Sequence, residues 1–108
     1  MAQRVVVLGG LGMLGQALTD LFRHDPNYEV VAWDKEDIDV TDFVQLREKL
    51  TAVKPHIILN CVAYNAVDLA EEDDEQYQKA LLLNRDLPGE LATIANEIEA
   101  VLVQYSTD

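Results

Sequence analysis

Arg4-Val-Val-Val-Leu8 runs directly into Gly9-Gly-Leu-Gly-Met-Leu-Gly15, and this stretch decides the fold. Its first part is a continuous β-branched apolar run without polar alternation, which is typical of a parallel strand covered on both faces. Its second part spaces three glycines as G-x-x-G-x-x-G, and a helical apolar pattern follows. The stretch therefore predicts a strand, a tight turn and a helix in direct succession.

The three glycines of this pattern, Gly9, Gly12 and Gly15, suit a turn that holds a phosphate group. One glycine is needed where the turn takes a positive φ, another where the backbone approaches the phosphates, and a third where helix and strand pack closely. The helix then directs its free N–H groups at the anion. We therefore predict a site for the pyrophosphate of a nicotinamide dinucleotide, the alternative being a glycine-rich turn that binds nothing.

Strand and helix patterns alternate along the rest of the chain. Strands are predicted at residues 4–8, 28–33, 57–59 and 100–104. The first helix is predicted to bury Leu14, Ala17, Leu18, Leu21 and Phe22. The second helix, capped by Thr41 or Asp42, is predicted to bury Phe43, Leu46, Leu50 and Val53. A less regular helical stretch reaches about residue 83, and a stripe then continues through Leu87, Leu91, Ile94, Ala95 and Ile98, with Pro88 as a kink or near the start.

This alternation predicts an α/β fold in one domain, residues 1–108. We expect a Rossmann-type parallel sheet with the strand order 3-2-1-4 and helices on both faces. The fourth strand would then be an open edge after which the chain stops. An apolar edge of this kind pairs readily with another chain, so we expect self-association through residues 100–104.

Charge and composition exclude several function classes. The formal net charge of −12 argues against sequence-independent binding to nucleic acid and against an anionic membrane, since both need a basic surface. Cys61 is the single cysteine, so no intrachain disulfide is possible and a reducing compartment, the cytoplasm, is expected. Neither a signal peptide nor a membrane span is predicted. The acidic run at residues 71–75 is interpreted as a solvated helix start, and no metal site is predicted.

Two acidic positions after the second strand are candidate cofactor contacts. Asp34 ends that strand, where a carboxylate can accept hydrogen bonds from the adenosine ribose, and this favours NAD over NADP. Lys35 could offset the charge, and Asp34 could also simply begin a loop. Asp39 and Val40 could meet adenine, but the same residues are equally typical of a helix entry.

Several motifs together resemble the N-terminal part of the dTDP-4-dehydrorhamnose reductases, which belong to the extended short-chain dehydrogenase/reductase family. The resemblance spans nearly the whole chain. The motifs are Gly9-Gly-Leu-Gly-Met-Leu-Gly15, Asp37-Ile-Asp-Val-Thr-Asp42, Lys54-Pro-His-Ile-Ile-Leu-Asn60, Ala63-Tyr-Asn-Ala-Val-Asp68 with Ala70-Glu71, Asn84 with Leu87-Pro88, and Ser106-Thr-Asp108.

The resemblance implies a function and a set of site residues. The implied reaction is NAD(P)H-dependent reduction of the C4 keto group of a dTDP-6-deoxy-4-hexulose to dTDP-L-rhamnose, with Mg²⁺ as an implied accessory. The implied contacts are Gly12, Met13 and Leu14 to the pyrophosphate, Asp34 to the ribose, Asp39 and Val40 to adenine, Ala63, Tyr64 and Asn65 to the nicotinamide, Thr107 as the catalytic hydroxyl on the sugar ketone, and Asp108 at the substrate.

The chain also departs from the family. Cys61-Val62 replaces small alanines and Asn65 replaces a frequent threonine, so the nicotinamide wall is expected to differ in shape. The family's Tyr-x-x-x-Lys pair and its sugar-binding part lie beyond the last residue, so the 108 residues alone are expected to be nearly inactive, because general acid catalysis contributes typically 10²–10⁴-fold. The alternatives are another nucleotide-sugar epimerase or reductase, or a non-catalytic dinucleotide-binding subunit of the methionine adenosyltransferase type.

Overall fold

The computed structural model of the chain describes residues 2–10, 12–62, 78 and 82–105. Its strands are β1 (Gln3–Leu8), β2 (Tyr28–Trp33), β3 (Ile57–Asn60) and β4 (Val101–Gln104). Its helices are α1 (Met13–Arg23), α2 (Phe43–Val53) and α3 (Leu87–Ile98), and a π-helical turn (Leu82–Asp86) leads into α3. All four predicted strands are confirmed. The predicted helical stretch before residue 82 lies almost entirely outside the described residues.

The four strands form one parallel sheet in the order β2-β1-β3-β4. The predicted α/β class with a parallel sheet is thus confirmed, whereas the predicted order 3-2-1-4 is wrong. The third strand pairs with β1 on the side away from β2, and Val5 is aligned with Val30 on one side and with Ile57 on the other. The sheet therefore reverses its direction of growth between β1 and β3.

Burial and local structure explain this order. All but the first residue of β3 are buried, whereas β2 is only half-buried. The more buried strand, β3, therefore lies inside the sheet, where its backbone groups are paired on both sides. The expected order assumes that the third strand adds outside β2. Residues 34–42 form turns instead of a strand, and the chain crosses over β1 to reach its free side.

Helices cover both faces of the sheet, as predicted. On one face, α1 packs its Leu18 and Phe22 against Val5, Val7 and Leu59. On the other face, Leu46 and Leu50 of α2 share a core with three α3 side chains, Leu87, Leu91 and Ile94, all fully buried. Right-handed crossovers require α1 to lie on one face and α2 and α3 on the other. The connection from β1 to β2 moves across the sheet in one direction, and the connections from β2 to β3 and from β3 to β4 move in the opposite direction.

The inward face of α1 differs from the prediction. Leu14 and Leu21 are 42% and 66% exposed, and Ala17 is exposed as well. The buried positions are Gly15 and Thr19, because the helix lies too close to the turn at Gly9 and Gly10 for a larger side chain at position 15. The Thr19 hydroxyl donates to the Gly15 carbonyl at 2.7 Å, which satisfies this buried polar group within the helix.

The other two helices follow the sequence signals. Asp42 caps α2 by accepting a hydrogen bond from the Gln45 N–H at 3.2 Å, which decides between the two predicted caps. Pro88 lies in the first turn of α3, where its missing N–H costs nothing. Arg47 of α2 forms ion pairs with Glu90 and Glu97 of α3, which join the two helices at the surface.

Candidate functional site

The glycine turn lies at the carboxyl end of β1. Gly9 has a φ of +79°, a conformation that L side chains rarely adopt. The N–H groups of Gly9 and Gly10 both donate to the Trp33 carbonyl, at 2.9 and 3.1 Å, so the turn is tied to the end of β2. The Gly12 N–H then donates to the Gly9 carbonyl at 3.2 Å. These bonds hold the loop so that α1 begins directly above the strand ends.

The N-terminus of α1 is open to an anion. Gly12 is its N-cap and offers no side chain to accept from the first turn, and that turn contains no acidic residue. In α2, by contrast, the Asp42 carboxylate accepts a hydrogen bond from a first-turn N–H group, that of Gln45. Met13 is 92% exposed and Leu14 42%. The first-turn N–H groups and the helix dipole of α1 therefore remain available to a phosphate.

Two glycines of the motif have different physical roles. A Cβ at Gly15 would lie 2.1 Å from the Gly9 carbonyl oxygen, which no L residue can tolerate. Among the described residues, a Cβ at Gly12 would meet only that same oxygen, at 3.5 Å, an ordinary contact. Gly15 is therefore required by the packing of α1 on the turn. Gly12 is not required by the fold, so its lack of a side chain leaves free space in front of the helix.

A groove of about 520 Å³ lies between α1 and the end of β2. Asp34, half-buried, is in its wall, as the spacing predicts. The Asp34 N–H donates to the Asp37 carboxylate at 2.9 Å, and the Asp34 carboxylate accepts from the Lys35 N–H at 2.7 Å. The groove is lined by Gly10, Gln16, Thr19, Asp20, Arg23, Ala32, Trp33, Asp34, Glu36 and Asp37. Its wall thus carries four carboxylates and one guanidinium.

Asp39 and Val40 lie on the loop between β2 and α2. The Asp39 carboxylate accepts from the N–H and the hydroxyl of Thr41, at 3.0 and 2.5 Å, and the Asp39 N–H donates to Gln45 at 2.7 Å. Val40 packs against the core. This is the geometry of a helix entry, and contact of these two residues with adenine stays a prediction.

The end of β3 borders the glycine turn on its other side. Cys61 donates its N–H to the Leu8 carbonyl at 2.9 Å, and a Cβ at Gly9 would lie 3.1 Å from the carbonyl carbon and oxygen of Cys61. Burial raises the pKa of the Cys61 thiol, which makes it a poor nucleophile. The predicted residues Ala63, Tyr64, Asn65, Thr107 and Asp108 lie outside the described residues.

One feature of this end of the sheet is not predicted from the sequence. Asn60 and Gln104 are aligned across β3 and β4, and the Asn60 side chain donates to the Gln104 side-chain oxygen at 2.7 Å. The sequence does hint at this pair, because each of the two short apolar strands ends in a residue with an amide side chain. The partners are 44 residues apart in the chain, so the pairing itself requires the sheet order.

The described residues contain neither a metal cluster nor a membrane helix. No group of three or more His, Cys, Asp or Glu side chains among them could hold a metal ion. Likewise, no helix in the described ranges is long and apolar enough to cross a membrane.

The arrangement resembles that of known proteins. Residues 3–108 match the family described as RmlD substrate binding domain. The chain belongs to this family. It is 35% identical to a dTDP-4-dehydrorhamnose reductase of Streptomyces griseus, over 97% of this chain and 33% of that protein.

Two solved structures of dTDP-4-dehydrorhamnose reductases share the fold of this RmlD-family chain. The structure from Clostridium acetobutylicum has a TM-score of 0.85 and 31% identity, over 94% of this chain and 35% of that one. The structure from Bacillus anthracis, in complex with NADP, has a TM-score of 0.83 and 29% identity, with the same coverage. The chain spans about a third of the length of these relatives.

Proposed function

We propose that residues 1–108 form a cofactor-binding domain that holds a nicotinamide dinucleotide across the carboxyl end of the sheet. The observation that carries this is the uncapped N-terminus of α1 behind the positive-φ turn at Gly9. The backbone N–H groups of Met13 and Leu14, which begin α1, would hold the pyrophosphate, and Gly12 would lie against it without a side chain in the way. The sheet reverses its growth between β1 and β3, and dinucleotides lie across such a switch point. The adenosine half then lies over β2 and the nicotinamide half over β3 and β4.

The groove at the end of β2 favours NADH over NADPH. Asp34 would accept hydrogen bonds from the adenosine ribose, and a 2′-phosphate would lie among Asp34, Glu36, Asp37 and Asp20, with Arg23 as the one cation among the described residues of the groove wall. Like charges at close range disfavour such binding. The Bacillus anthracis relative was solved with NADP, which supports the cofactor class. The preference within that class depends on the groove of this chain.

The reaction we propose is reduction of the C4 keto group of a dTDP-6-deoxy-4-hexulose to dTDP-L-rhamnose, with this chain as the cofactor-binding half. A reduced nicotinamide supplies the hydride when it is bound. By resemblance, Ala63, Tyr64 and Asn65 form the nicotinamide wall, and Asp108 lies at the substrate. The Thr107 hydroxyl would donate to the ketone oxygen and stabilise the developing alkoxide.

Turnover by these 108 residues alone is proposed to be negligible. These residues contain no complete Tyr-x-x-x-Lys pair, because Tyr28, Tyr64 and Tyr77 are followed four positions later by Ala32, Asp68 and Leu81. The Mg²⁺ implied by the resemblance finds no ligand set within the described residues. A cytoplasmic location, expected from the single cysteine, belongs to the same proposal.

Self-association through β4 is a separate part of the proposal. Within the described residues β4 pairs only with β3, and Val101 on this strand is 61% exposed. An unpaired apolar edge can add a strand from a second copy. Light scattering across a range of concentrations should give a mass above that of one chain, and a constant monomeric mass would refute this part.

Calorimetric titration with NADH, NADPH and a Gly12→Val variant tests the cofactor site. Because a Cβ at Gly12 makes no more than an ordinary contact with the described part of the chain, the variant should fold normally and yet fail to bind, since its side chain occupies the pyrophosphate space. Equal thermal stability of the two proteins is the control. Binding of NADH that survives the substitution would contradict the placement of the pyrophosphate.

A further inference from the structure

The carboxyl ends of β3 and β4 are joined through one buried side chain. Asn60 is 2% exposed, and its oxygen accepts from the Val62 N–H at 3.1 Å while its NH₂ group donates to Gln104 at 2.7 Å. The backbone N–H of Val62 can only donate, so the side-chain oxygen must face it. The Val62 N–H thus fixes the orientation of the Asn60 amide. The Asn60 NH₂ group then points at Gln104, which must offer it an acceptor oxygen.

The peptide that Asn60 holds is also the one against which the glycine turn packs. A Cβ at Gly9 would lie 3.1 Å from the Cys61 carbonyl group and 3.2 Å from the Val62 nitrogen. The Tyr105 N–H donates to the Asn60 carbonyl at 3.2 Å, which adds a backbone link from β4. The ends of β1, β3 and β4 are therefore connected through Asn60 and its neighbours.

We propose that Asn60 and Gln104 are positioning residues for the nicotinamide half of the cofactor site. The inference rests on the proposed function, which places that half over β3 and β4. Gln104 acts through Asn60 on the relative position of the two strand ends. The adenosine half depends on β2 and the start of α1, whereas the hydrogen bonds that the structure shows for these two side chains go to each other and to Val62. The pair should therefore affect NADH affinity much more than the affinity for ADP-ribose, which lacks the nicotinamide ring.

Gln104→Met tests this, because it keeps the side-chain length and removes the acceptor. The buried Asn60 amide then lacks a partner, and the strand ends must be brought back into position when NADH binds. We expect NADH to bind about tenfold more weakly, the size of effect that one unpaired buried group produces. The affinity for ADP-ribose should fall much less than the affinity for NADH. Gln104→Glu retains an acceptor oxygen and should recover most of the NADH affinity.

Val101→Thr is the matched control, since it alters an exposed side chain of the same strand that does not contact the pair. It should leave both affinities unchanged. Equal weakening of NADH and ADP-ribose by Gln104→Met would mean a general structural role and would overturn the inference. An unchanged NADH affinity would also overturn it. If the unaltered chain bound neither ligand, the proposed function itself would be refuted, and the inference with it.

Discussion

Replacement of Gly15 by alanine should destabilise the fold through one specific collision. The added Cβ would lie 2.1 Å from the Gly9 carbonyl oxygen and 2.9 Å from the Gly10 Cα and the Gly9 carbonyl carbon. All three atoms belong to the backbone of the turn, so no side-chain rotation can relieve the contact. The turn or α1 must move by about an ångström to restore normal contact distances.

The size of the loss follows from two opposing effects. Overpacking of this kind costs about 1–3 kcal/mol, and a backbone collision belongs at the upper end of that range. Alanine regains about 1 kcal/mol over glycine in a helix interior. The net decrease in the free energy of unfolding is then about 2 kcal/mol, which lowers the melting temperature of a domain of this size by about 10 °C.

Urea unfolding followed by circular dichroism measures this change, and Gly89→Ala is the matched control. Gly89 is also a helical glycine, but a Cβ there meets no atom of the described residues within 4 Å. That variant should gain about 0.5–1 kcal/mol, because alanine is the better helix former and restricts the unfolded chain. If Gly15→Ala were as stable as Gly89→Ala, α1 would not approach the glycine turn as closely as described.

Three further predictions concern charge and reactivity. Because burial raises the pKa of Cys61, its alkylation by iodoacetamide at pH 8 should be slower than that of an unstructured cysteine peptide, and an equal rate would contradict this. Asp34→Arg should raise the NADPH-to-NADH affinity ratio, and an unchanged ratio would mean that the groove does not receive the ribose. The carboxylates of Glu97 and Glu90 raise the pKa of Arg47, but the pairs are partly exposed. Arg47→Met should therefore lower the melting temperature slightly, and 1 M NaCl should shrink the difference; a difference that persists in salt would contradict the ion-pair explanation.

Local signals in the sequence predict most of the elements. Residues 4–8 form a strand because β-branched side chains suit a covered parallel sheet, and Leu46 and Leu50 are buried at the helical spacing the pattern gives. Periodicity does not identify strand neighbours, because pairing depends on segments far apart in the chain. The order 3-2-1-4 fails for that reason.

The same distinction separates the parts of the site. The geometry of the glycine turn and the position of Asp34 at the end of β2 could be predicted, because each depends on one short segment of the chain. The face of α1 could not be predicted correctly, because the tight approach at Gly15 displaces Leu14 and Leu21 from the interface. The Asn60–Gln104 pair is non-local, and only the sheet brings these two amides together.

Amide NMR spectra of the chain, recorded during a titration with NADH, test the central claim most directly. The account predicts the largest shifts at the backbone N–H groups of Gly12, Met13 and Leu14, with a second group at Trp33 and Asp34. Saturation of both groups at one cofactor concentration would support a single dinucleotide site. Shifts confined to other parts of the chain, or none at millimolar NADH, would contradict it.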